Sequence, residues 1–183
     1  MANQRLTDKN ALGQPTSSGD LYMVVDVSDT TGSSAGTSKK LDSKYVIQTD
    51  KVSVASGIFQ AMDSSGGAGT FATLLASAGS GYFNQVLGVT AVVDYASGTQ
   101  SPKVTLYFGY DATDTSKYWS RVAGFMQGTT ADINYSFSAY NLASAGGGSA
   151  GLDNRGFFVY SGGNYSSTFS VDFYITYQVV KLA

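Results

Sequence analysis

The stretch Phe169-Ser170-Val171-Asp172-Phe173-Tyr174-Ile175-Thr176-Tyr177-Gln178-Val179 decides the fold. Phe169, Val171, Phe173, Ile175, Tyr177 and Val179 fall on one side of an extended chain, and Ser170, Asp172, Thr176 and Gln178 on the other, because successive side chains of a strand point to opposite faces. The alternation lasts for roughly twelve residues, about twice the usual strand length. A strand that long with one apolar face belongs in a sandwich, a barrel or a sheet shared between subunits.

Working outward, the same period of two recurs. Leu87, Val89, Ala91, Val93 and Tyr95 alternate with Gly88, Thr90, Val92 and Asp94, and Val104, Leu106, Phe108 and Tyr110 with Thr105, Tyr107 and Gly109. Ile133, Tyr135, Phe137 and Ala139 alternate with Asp132, Asn134, Ser136 and Ser138, and Phe157 to Tyr160 is a shorter run between glycine turns. Turn clusters separate these runs: Ser97-Gly98-Thr99, Asp111 to Lys117, Gly128-Thr129-Thr130, Ser144 to Gly151 and Ser161-Gly162-Gly163-Asn164. Helical spacing shows only at Val54, Ile58, Phe59 and Met62, interrupted by Gly57 and ended by Ser64-Ser65-Gly66-Gly67. Strands at this spacing without intervening helices predict an all-β, antiparallel β-sandwich of jelly-roll-like type, and exclude a parallel α/β architecture.

Before the sandwich the pattern is weaker. Residues 1–19 are polar and contain Pro15. Leu21 to Val27 is a short β-branched run between Gly19-Asp20 and Ser28-Asp29-Thr30-Thr31-Gly32, hence a strand, with a loop over Gly32 to Gly36 and a second short strand expected at Tyr45 to Gln48. The expected division is therefore an extended arm over residues 1–50 and a sandwich domain over 51–183.

Composition narrows the chemistry. The 183 residues include no Cys and no His, which removes disulfides, thiol nucleophiles, the commonest metal ligand and the usual base of a Ser or Cys nucleophile. All 13 acidic residues are Asp, and charged residues make up only 13% of the chain, against roughly 25% in ordinary soluble domains. A net charge of −2 argues against nucleic acid as a partner, because phosphate binding needs clustered basic residues and the densest patch here is Lys39, Lys40 and Lys44. The polar Met1 to Asn10 segment has no signal-peptide core, and no apolar run approaches the roughly 18 residues of a membrane helix. The expectation is a soluble chain made in a cytosol, with no membrane insertion.

Candidate sites are few. Gly32-Ser33-Ser34-Ala35-Gly36-Thr37-Ser38-Lys39 fails the phosphate-loop pattern, since Thr37-Ser38 stands where Lys-Ser/Thr is required and strand and turn replace the following helix. Asp111 with Asp114, and Asp26 with Asp29, offer loop carboxylates of the sort Ca²⁺ takes, but neither pair completes a calcium loop, and Asp in turns ordinarily accepts from nearby backbone N–H groups. No metal, no cofactor and no catalytic residue is expected. Tyr118-Trp119, Tyr107, Tyr110, Tyr140, Tyr165 and Tyr174 can form a sugar- or protein-binding surface or simply pack, with Tyr118, Trp119 and Tyr165 the leading surface or interface candidates.

Gly19-Asp20-Leu21-Tyr22-Met23-Val24-Val25-Asp26-Val27-Ser28-Asp29-Thr30-Thr31, followed by Gly36-Thr37-Ser38-Lys39-Lys40-Leu41, resembles the N-terminal segment of tailed-phage fibre, spike and other virion proteins. The remainder is similar in layout to small bacteriophage structural proteins: a short helix, a Gly-rich turn (Gly79-Ser80-Gly81) before a long strand, and a terminal strand ending in Tyr177-Gln178-Val179-Val180. The chain departs from that layout at Tyr82, where the group implies a basic residue. The resemblance implies a non-enzymatic virion structural protein, a fibre, spike or capsid-decoration subunit on the head or tail. Leu21, Val24, Val25, Asp26, Gly36, Thr37 and Lys39 would form its attachment segment. It implies a homotrimer whose partners are itself and capsid or tail proteins. Two alternatives stand beside it: a receptor- or glycan-binding module reading a host surface sugar, and a jelly-roll coat subunit.

Overall fold

A computed structural model describes residues 21–26, 28, 31, 37–42, 46–62, 70–112, 118–139 and 152–182. The chain divides into two units, Met1–Val46 and Ile47–Ala183.

In the first unit, β1 (Leu21–Asp26) pairs antiparallel with β2 (Thr37–Asp42), in a register that sets Leu21 opposite Asp42, Val24 opposite Lys39 and Asp26 opposite Thr37. The second strand thus precedes the expected Tyr45–Gln48. Thr37-Ser38-Lys39-Lys40-Leu41-Asp42 carries almost no apolar pattern, so its strand character comes from the backbone ladder with β1. Gln48 instead opens β3 of the second unit. Tyr45, Gly36 and the expected loop over 32–36 lie outside the described residues.

The second unit contains β3 (Gln48–Val54), α1 (Ser56–Ala61), β4 (Ala72–Leu75), β5 (Tyr82–Ser97), β6 (Thr105–Gly109), β7 (Ser120–Ala123), β8 (Ile133–Phe137), β9 (Phe157–Ser161) and β10 (Thr168–Lys181). Because β3 pairs with β10 from Gln48 onward, the arm ends before Ile47 and not at residue 50. Two four-stranded sheets form, in the orders β3-β10-β5-β8 and β4-β9-β6-β7, with every pair antiparallel. The pairing is nested: first strand with last (β3·β10), second with seventh (β4·β9), third with sixth (β5·β8), fourth with fifth (β6·β7). A long antiparallel hairpin rolled up in this way is the double Greek key of a jelly roll.

Side-chain alternation drives the packing. On β10, Phe169, Val171, Phe173, Ile175 and Tyr177 are all buried, and they meet Leu106, Phe108, Phe157 and Val159 in one core. Burying an aliphatic or aromatic side chain of this size is worth roughly 1.5–3 kcal/mol. On β5 the phase slips. Thr176 pairs with Gly88 but Tyr177 pairs with Val86, so Leu87 is the extra residue of a β-bulge. The bulge puts Asn84 and Val86 inside alongside Val89, Ala91 and Val93, and turns Leu87 outward, 42% exposed. That overturns the inward position expected for Leu87. Ile133 is also 36% exposed, although it lies on the inward side of β8.

The connections gather at the two ends of the sandwich. At one end α1 caps the core. It has six residues and no side-chain N-cap, too short for a helix to stand alone; it is held by Phe59, whose ring lies 4.7 Å from Phe169 and edge-on to Tyr165 at 5.8 Å. Tyr165 N–H donates to the Phe59 carbonyl at 3.2 Å. Beside it, the buried Gln100 accepts at Oε1 from Ser166 N–H (2.9 Å) and donates from Nε2 to the Pro102 carbonyl (2.8 Å), tying the β5–β6 loop to the β9–β10 loop. At the other end Gly81 N–H donates to the Asp153 carboxylate at 2.7 Å and Asn154 N–H to the Tyr82 carbonyl at 3.1 Å. Between the sheets, the Tyr110 hydroxyl accepts from Val86 N–H (3.1 Å) and donates to the Asn84 carbonyl (2.6 Å).

Candidate functional surface

The two outer sheet faces differ in chemistry. On the β3-β10-β5-β8 sheet the outward residues of β3 and β10 form a polar ladder. Lys51 Nζ lies 2.7 Å from Asp172 and 5.8 Å above the Tyr174 ring, and the Thr49 and Thr176 hydroxyls are 3.1 Å apart. The Lys51 hydrogen bond, seconded by Ser53, holds the Asp172 carboxyl below its usual range, and Asp172 in turn raises Lys51. Lys51 and Asp172 satisfy each other and remain open to solvent.

The outer face of the β4-β9-β6-β7 sheet is aromatic. Tyr107 on β6 lies between Tyr160 of β9 and Arg121 of β7, which puts all three on one side. The Tyr107 and Tyr160 rings stack, centroids 5.5 Å apart and 11° from parallel, and Tyr118 approaches Tyr107 at 5.8 Å. The Arg121 guanidinium sits over the Tyr118 ring at 4.9 Å, within reach of a cation–π contact. Farther along, Phe158 lies opposite Gly109 and Thr73, and meets the exposed Phe71 edge-on at 5.1 Å. The face therefore offers the partly exposed rings of Tyr107, Tyr118, Phe158 and Phe71 and one cation, while Tyr160 is itself buried.

The residues named from sequence separate accordingly. Tyr118 and Tyr107 belong to the aromatic face. Trp119 and Tyr165 are 1% and 2% exposed and belong to the core, Trp119 edge-on to Phe157 at 5.5 Å and Tyr165 edge-on to Phe169 at 5.3 Å. Burial pushes the Tyr110 hydroxyl up to about 12 and raises the Tyr165 hydroxyl as well. Tyr174 stands on the polar face, and Tyr140 lies outside the described residues. In the hairpin, the register sets Val24 opposite Lys39, whose side chain is exposed, and Asp26 opposite Thr37, while Val25 pairs with Ser38 and Leu21 with Asp42 at the far end. Sequence reasoning missed Arg121, Phe158 and Tyr160, because a face shared by three strands leaves no mark within any one of them.

Asp111 faces Arg155 at 3.5 Å, while Asp29 and Asp114 lie outside the described residues. Among the described residues no three acidic, His or Cys side chains come together as metal ligands, and no helix is long and apolar enough to cross a membrane.

Strand order and nested pairing define a jelly-roll domain. No protein-family model matches the chain, and no curated protein matches it. Among solved structures it is similar to a chain of the cyanophage Pam1 capsid asymmetric unit, over 100% of both chains, at 16% identity and a TM-score of 0.38. The fold assignment rests on the strand order and not on that likeness.

Proposed function

We infer that this chain is a non-enzymatic structural subunit of a phage virion, a capsid- or tail-attached fibre, spike or decoration protein. The observation that carries this reading is the eight-stranded nested jelly roll, an architecture used by viral capsid domains. A fold alone hosts many functions. Two features of the sequence support this one: a composition without His or Cys, and the resemblance of Gly19 to Thr31, followed by Gly36 to Leu41, to virion attachment segments. In this reading the β1–β2 hairpin docks on the capsid or tail and the jelly roll projects. The resemblance is also what supports a homotrimer. Deleting residues 1–46, which leaves β3 whole, should abolish incorporation into particles while the remaining domain keeps its β-sheet circular dichroism; incorporation of the truncated chain at the normal level would sink the docking role.

A second reading is glycan binding, favoured by the aromatic face, where Tyr107, Tyr118 and Arg121 combine ring surfaces with a cation. Jelly rolls also serve as lectins. A glycan array probed with the wild type and with Tyr107→Ala/Arg121→Ala tests it: binding lost in the variant supports this reading, and a blank array with the wild type removes it. A coat subunit differs from a fibre or spike in its very high copy number per particle.

A further inference from the structure

A sheet edge exposes unpaired N–H and C=O groups, and proteins blunt such edges with charge, brevity or cover. Three of the four edges of this sandwich are blunted. β3 carries Asp50 and Lys51, β7 has four residues and includes Arg121, and β4 has four residues. β8 is different. It is Ile133-Asn134-Tyr135-Ser136-Phe137, five residues with no charge and no proline, and β5 is its partner among the described strands. The neighbouring Asp132 does not protect the edge, since its carboxylate accepts from Tyr95 N–H at 2.9 Å. The inward side of β8 is also incompletely covered: Ile133 is 36% exposed, and Tyr135 and Phe137, stacked at 6.0 Å, are only half-buried.

We propose that β8 is the contact between copies of this chain, through antiparallel β8–β8 pairing about a twofold axis centred on Tyr135. The strand is self-complementary in that register. Ile133 falls opposite Phe137 of the second copy, Tyr135 opposite Tyr135 and Asn134 opposite Ser136, so apolar residues meet apolar ones, amide meets hydroxyl, and no like charges face each other. An isologous contact of this sort needs only one patch. It extends the β3-β10-β5-β8 sheet into a continuous eight-stranded sheet and covers the half-exposed Ile133, Tyr135 and Phe137. The contact pairs copies two by two, so a threefold ring would be closed by other surfaces. It is independent of the virion reading, and combined with a homotrimer it requires a hexamer.

The test is the sedimentation-equilibrium mass of the full chain with the exposed Asn134 and Ser136 changed. Asn134→Lys/Ser136→Lys sets lysine against lysine twice across the axis, and the particle mass should halve, from dimer to monomer or from hexamer to trimer. Asn134→Lys/Ser136→Asp sets opposite charges across the axis and should restore the wild-type mass. Unchanged circular dichroism and a cooperative melt in both variants separate lost pairing from lost folding. A wild-type mass that neither variant changes, a wild-type monomer or an odd-numbered wild-type particle overturns the pairing, as does failure of the opposite-charge variant to restore the mass. Because this readout needs no virus particle, it can fail while the virion reading stands.

Discussion

Phe59→Ala tests how the short helix is held. Phe59 is fully buried and its ring contacts Tyr165, Phe169 and Phe173 at centroid distances of 5.8, 4.7 and 6.4 Å. A helix of six residues without a side-chain cap has little stability of its own, so α1 is held on the sandwich by this ring, its one buried side chain, together with hydrogen bonds from Tyr165 N–H to the Phe59 carbonyl and from Asn164 Nδ2 to the Gln60 carbonyl. Truncating a buried Phe to Ala costs about 3–5 kcal/mol in lost transfer and cavity terms. For a domain of this size each kcal/mol moves Tm by about 2–4 °C, so about 4 kcal/mol corresponds to a drop of roughly 8–16 °C. The adjacent Ile58 is 36% exposed, and Ile58→Ala should change stability by only about 0.5 kcal/mol. Differential scanning calorimetry on the two variants gives the comparison directly, and hydrogen exchange at Met62 N–H, which donates to the Phe59 carbonyl, reports local opening. A drop below about 2 °C for Phe59→Ala, or equal drops for the two variants, would refute this ring as the apolar anchor of the cap.

Gly156→Ala places a methyl group 2.9 Å from both the Leu75 carbonyl oxygen and the Phe158 ring; the backbone cannot yield cheaply, and urea unfolding should register a loss of about 1–3 kcal/mol. Leu87→Ser should leave the urea midpoint nearly unchanged because the bulge turns Leu87 outward, whereas Val89→Ser, at 2% exposure, should lower it clearly. The alkaline limb follows from the buried hydroxyls. Burial raises Tyr110 from 10.0 to about 12, so the fold favours the neutral phenol; its contribution is intact below pH 10 and is lost as pH rises from about 10 toward 12, up to about 3 kcal/mol. Tyr110→Phe should make the decline of Tm above pH 10 shallower; an identical pH profile would contradict the assignment. On the acid side Asp172, held low by Lys51 and Ser53, contributes above its unfolded value of 3.8 and loses that contribution as pH falls through its folded value. The pair is exposed, so Asp172→Asn should alter only the acid limb of the Tm profile, and only slightly.

Strong alternation made much of this fold legible. β6 and β10 follow from their periods of two because each buries one face continuously, while β9 shows as a short apolar run between glycine turns and is buried on both faces. β4 and β7 have four residues each, too few for a period to show. β2 left no apolar trace because its partner strand defines it. The bulge at Leu87 reverses the phase within one strand, something no repeat of two can register. The functional surface was less legible for a related reason. Tyr118 and Trp119 are adjacent in sequence, yet one lies beside Arg121 on the aromatic face and the other is buried against Phe157, an outcome set by which sheet face each residue meets. Tyr165 reads as a surface aromatic in a glycine-rich turn, but the turn folds it back over Phe59 and Phe169.

Quantitative mass spectrometry of purified phage particles whose genome encodes this chain tests the central claim most directly, by counting its copies against the major capsid protein. The account predicts a fixed stoichiometry: tens of copies or fewer for a fibre or spike, and hundreds for a decoration or coat subunit. Complete absence from particles would contradict the virion assignment, and the aromatic face at Tyr107 and Arg121 would then become the starting point for its function.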